Sequence, residues 1–106
     1  MRKNKTINKT IICNDGFSMS VQANEHAYCT PRADEAESYT HVEVGFPNAT
    51  EPLLMEWCDG AGTHPTDSVY SYVPASQVAL VCAKHGGIVS GELPPGVAFI
   101  GVVKCK

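Results

Sequence analysis

The sequence predicts a small α+β domain: a small antiparallel or mixed sheet opened by an N-terminal hairpin, with one clear helix at about 75–85 and one short helix at about 51–57. Three observations predict it. Phe17, Met19 and Val21 alternate with Ser18, Ser20 and Gln22 directly after the turn residues Asn14-Asp15-Gly16. Val78, Val81, Cys82 and His85 recur at the spacing of a helix. Short β-branched or aromatic runs recur elsewhere between turn residues. The chain has 106 residues, a single-domain length at which folding hides about 65% of the surface that the unfolded chain exposes. A hydrophobic fraction of 43% against 18% charged residues is too apolar for a disordered chain.

Residues 1–8 read as a flexible basic tail and 9–106 as one globular domain. Thr10-Ile11-Ile12-Cys13 is the first strand, and Gly16 supplies the positive φ that the tight turn needs. Residues 23–38, polar and broken by Pro31, read as a loop, and 39–44 as a strand ended by Gly45-Phe46-Pro47-Asn48. Asn48, in a capping-box spacing with Glu51, or Thr50 just before Glu51-Pro52, is the expected cap of the short helix. Its Leu53, Leu54 and Trp57 share one face. After a flexible loop over 58–65, residues 68–73 read as a strand with Tyr70 and Tyr72 on one side. Pro74 suits the first turn of the following helix, Lys84 and His85 suit its last turn, and Gly86-Gly87 stop it. Ile88-Val89 reads as a short strand and 97–103 as a last, buried one.

Charge is the most informative global feature. The net value is −3, but Arg2, Lys3, Lys5 and Lys9 crowd the first nine residues. Between residues 33 and 83 there are eight acids and no lysine or arginine: Asp34, Glu35, Glu37, Glu43, Glu51, Glu56, Asp59 and Asp67. Gathered on one exposed face, they would repel phosphate backbones, which argues against direct nucleic-acid binding, and attract a basic protein surface. The plain alternative is a solvated face that keeps the protein soluble. No apolar stretch of about 7–15 residues follows the basic start, as a secretion signal requires. The run 97–103 is too short to span a bilayer. A cytoplasmic location is the expectation.

Five cysteines, an odd number, argue against a closed disulfide framework and for reduced, buried thiols. His26-x-x-Cys29 and Cys82-x-x-His85 have spacings that zinc ligands use, so a small zinc-binding module is one alternative. Packing already explains Cys82, and the helix terminus explains His85. A nucleophilic Cys82 beside His85 would lack a third group and an oxyanion hole. No P-loop, GxSxG elbow or GxGxxG is present, and Glu35 and Glu37 fall in a wet loop where no raised pKa is expected. Catalysis is therefore not expected. An anionic ligand such as a nucleotide second messenger would have to use Arg32, Ser76 at the helix start, Lys84 and His85.

The segments 11–23, 42–47 and 84–94 (IICNDGFSMSVQA, VEVGFP and KHGGIVSGELP) resemble small accessory proteins encoded by tailed bacteriophages. The likeness covers most of residues 10–96, and the basic start and the stretch after Pro95 fall outside it. The group has no established activity, so no functional residue carries over. The resemblance implies a binding protein in a bacterial host cytoplasm. Two roles fit: an anti-CRISPR or anti-restriction type of inhibitor that sets its acidic surface against a basic host protein, or an oligomeric sponge for a nucleotide immune signal.

Overall fold

A computed structural model describes residues 7–59 and 64–102. Five antiparallel strands form one sheet in the order β4-β3-β2-β1-β5: β1 (Ile11–Cys13), β2 (Ser18–Gln22), β3 (His41–Gly45), β4 (Val69–Pro74) and β5 (Ile88–Ser90). One α-helix, α1 (Ala75–Lys84), and two 3-10 helices, Pro52–Trp57 and Pro65–Asp67, complete the α+β domain.

The hairpin forms as its sequence dictates. Cys13 and Phe17 close the loop, Gly16 donates back to the Cys13 carbonyl at φ +93°, and the Asp15 carboxylate accepts from the Phe17 N–H at 2.9 Å. Period-two alternation sends Ile11, Cys13, Met19, Val21, Val42 and Val44 to one face, where all are buried. That face receives Val78, Val81 and Cys82 of α1 and Leu54 of the first 3-10 helix, forming one core. Helix α1 ends in a Schellman motif: Gly86 donates to Ala83 and Gly87 to Cys82, both glycines at positive φ.

Each border of the sheet is partly covered by other segments of the chain. Along β4, Asp59 N–H donates to Val69, Cys58 bridges Tyr70, and Tyr72 N–H donates to Tyr28. Along β5, Ile88 donates to the Ile100 carbonyl and bridges Gly101.

Six local expectations change. The helix at 52–57 is 3-10, and its cap is Glu51, whose carboxylate accepts from Leu53 N–H, not Asn48 or Thr50. Asn48 instead straps the hairpin, accepting from Ser18 N–H and donating to the Gly16 carbonyl. Pro74 is the cap of α1 rather than a first-turn residue. A register shift between Val42 and Val44, with Tyr72 at φ +54°, separates Tyr70, buried, from Tyr72, 41% exposed. The stretch 97–102 is irregular: only Gly101 bridges, Val97 is buried, and Phe99 is 57% exposed. Asn8 belongs to the domain rather than to a tail, exchanging hydrogen bonds with the Gln22 side chain. Residues 1–6 of the expected tail, residues 60–63 of the expected loop and 103 lie outside the described residues.

Candidate functional site

The hairpin turn, the first 3-10 helix and the C-terminus of α1 meet at one point. Asn14 N–H donates to the Gly87 carbonyl and Asp15 N–H to the His85 carbonyl, fastening the turn to the end of α1. Glu51, as the 3-10 cap, turns its carboxylate inward and is 1% exposed. Its Oε2 accepts from Lys84 Nζ at 2.8 Å and from Leu53 N–H at 2.8 Å. Its Oε1 lies 2.5 Å from His85 Nε2, and the opposite ring nitrogen of His85 lies 2.6 Å from Asp15 Oδ2. A carboxylate on each side gives both ring nitrogens an acceptor, which favours the imidazolium form of His85. The Phe17 ring stacks on it, with centroids 4.1 Å apart and planes at 11°.

The charges reinforce one another. Burial pushes the Glu51 carboxyl up, but Lys84, the Leu53 N–H and His85 together outweigh it and hold the group below the usual carboxylate range. Burial likewise pushes His85 down, and the Glu51 and Asp15 carboxylates overcome it, so the net shift is upward. Asp15 is lowered by the Phe17 N–H and by His85. An open pocket of about 260 Å³ lies over this cluster, lined by Asp15, Gly16, Phe17, Asn48, Ala49 and His85. With both imidazole nitrogens bound to carboxylates, His85 has no lone pair to offer as a base. The arrangement suits a fastener between three elements better than proton transfer.

The expected acidic surface divides. Glu51 leaves it for the interior. Glu43 is half-buried and projects from the sheet face opposite Val42 and Val44, where its Oε2 accepts from Tyr28 N–H at 3.2 Å. Glu56 and Asp59 are exposed in and just after the 3-10 helix on the other face, and Asp67 is exposed in the second 3-10 helix. Asp34, Glu35 and Glu37 lie in the 31–40 loop, where Asp34 accepts from Glu25 N–H. The acids coat more than one side rather than forming one patch. The chain as a whole has eleven acids against eight lysines and arginines, and the acids dominate its middle, where no lysine or arginine falls between residues 33 and 83.

The two alternative sets are not assembled. Arg32 places its guanidinium over the Tyr28 ring, while Ser76 and Lys84 stand at opposite ends of α1, about 12 Å apart by helical rise. Lys84 and His85 are already engaged by Glu51. Of the zinc set, His26 is exposed beside Glu25, and Cys29 is buried with its thiol directed at the Asn24 and Pro31 carbonyls. Cys82 is buried against Cys13, and its thiol is pushed up to about 12 by that burial. Among the described residues no group of three or more His, Cys, Asp or Glu side chains is placed to hold a metal ion. No helix among them is long and apolar enough to cross a membrane.

Fold and site together define a small α+β sheet domain in which a buried Glu51 carboxylate engages His85 and the partly exposed Lys84. No protein-family model matches the chain, and no curated protein or solved structure matches it.

Proposed function

We propose that this chain is a phage-type accessory binding protein that sets an acidic exterior against a basic surface of a host protein, in the manner of anti-CRISPR or anti-restriction inhibitors, in the bacterial host cytoplasm. One observation carries the reading. The chain carries eleven acidic side chains against eight lysines and arginines, a net charge of −3, and the stretch from residue 33 to 83 holds eight of those acids and no lysine or arginine, seven of the eight remaining outside the interior once Glu51 pairs with Lys84. Such a body raises the encounter rate with cationic surfaces and repels nucleic acid. The clamped state of His85 supports binding over catalysis, and the placement of Ser76 and Lys84 at opposite ends of α1, with Lys84 engaged by Glu51, favours this reading over a nucleotide sponge.

The test is capture of host proteins by the immobilised full chain across a salt series. The expected result is a partner retained at about 50 mM salt and released at a few hundred millimolar, where screening falls within the first Debye length. Retention that ignores salt overturns the electrostatic reading. A thermal shift with cyclic nucleotides in place of a protein partner would favour the sponge.

A further inference from the structure

We propose that Tyr28 and Tyr72 form the point at which this acidic domain seats an arginine side chain of its partner, in the position now held by its own Arg32. The inference rests on the proposed function and names where the basic partner docks. Tyr28 and Tyr72 are 42% and 41% exposed, with ring centroids 6.1 Å apart at 45°. The Arg32 guanidinium lies 5.3 Å from the Tyr28 ring centroid, so this ring face already accepts the planar cation that a partner would bring. Arg32 is weakly held: it is exposed, and its guanidinium donates to the His26 carbonyl at 3.4 Å.

The platform beneath is well tied down. Tyr72 N–H donates to the Tyr28 carbonyl, Tyr28 N–H donates to Glu43, and Thr30 bridges His41. Glu25, Asp34 and Glu43 belong to the same loop-and-strand unit as Arg32, so that unit carries three carboxylates against one guanidinium. A second cation is favoured by that balance, and a planar one gains from the exposed rings.

The test titrates a nona-arginine peptide into the full chain at low salt, using wild type, Y28A, R32A and the Y28A/R32A double variant. Single cation–π contacts at exposed sites correspond to roughly two- to fivefold in affinity, so Y28A is expected to weaken binding by about that factor. R32A is expected to tighten binding at least about threefold, because it vacates the ring and removes a like charge. In the Y28A background the gain from R32A should fall, since only the charge effect remains. An equal gain from R32A with and without Tyr28, or weaker binding by R32A, overturns the seat and leaves the acidic-domain reading standing. Absence of any nona-arginine binding at low salt overturns both. Circular dichroism of each variant, with Y28F as a second ring-retaining control expected to bind like wild type, separates a lost ring from a lost fold.

Discussion

Replacing Glu51 with glutamine tests the central cluster most directly. The side chain keeps its volume and can still accept from Leu53 N–H, but it loses the charge that faces Lys84 and His85. Breaking a fully buried ion pair costs about 3–5 kcal/mol, and a charged hydrogen bond about 1.5–3 kcal/mol. Lys84 is 44% exposed, so its share is screened by water, whereas His85 is only 15% exposed. The expected loss for E51Q is therefore about 3 kcal/mol. At this chain length that corresponds to a fall of about 12 °C in Tm. Differential scanning calorimetry at pH 6 measures it, with the exposed Glu56→Gln as a control expected to stay within about 0.5 kcal/mol. A fall of less than about 2 °C for E51Q would refute the view that this cluster fastens the three elements.

The pH dependence carries opposite signs on its two limbs. His85 is raised above its ordinary 6.5, so its contribution is complete below about pH 6.5 and is lost as pH rises through the folded value. Glu51 and Asp15 are lowered from 4.5 and 3.8, so theirs is present above those values and is lost as pH falls through the folded ones. Urea midpoints should form a plateau between about pH 4.5 and 6.5, and His85→Gln should abolish the alkaline decline while lowering the plateau; an unchanged alkaline limb would contradict it. Gly91 sits at φ +118°, and a Cβ there would lie 2.6 Å from the Ile11 Cα, so Gly91→Ala should cost about 1–3 kcal/mol in a urea titration with unchanged m. Among the described cysteines, Cys13, Cys29 and Cys82 are buried with thiols raised by burial, whereas Cys58 is half-buried; of these four, N-ethylmaleimide with peptide mapping should label Cys58 first and the other three only on unfolding.

The parts of this fold that the sequence announces are the ones in which local chemistry and tertiary packing agree. Alternation from Phe17 to Gln22 and the Asn14-Asp15-Gly16 turn specify the hairpin without help from distant residues, and Gly86-Gly87 specify the end of α1. The run 97–103 misleads because apolar composition alone cannot distinguish a strand from a covering segment, and a single bridge at Gly101 is all its described part supplies. Glu51 was hidden for another reason. Glutamate is an uncommon cap, and its burial depends on Lys84 and His85, more than thirty residues away. One local signal did point to it: Pro52 in the first helical position makes the preceding residue the cap. Asp15 carried no such mark, because its role as an acceptor for Phe17 N–H is what any turn aspartate does. The separation of Tyr70 from Tyr72 follows from a register shift that periodicity does not encode.

The partly covered borders of the sheet limit how anything can join this molecule. An incoming extended peptide needs a row of unpaired backbone groups to continue the ladder, and segments of the chain itself already occupy positions along both outermost strands. Recognition by strand addition is thereby disfavoured, as is self-association into a continuous sheet through β4 or β5. Contacts through side chains projecting from the two faces and the loops are favoured instead, where a single substitution can change the choice of companion without disturbing the backbone that displays it.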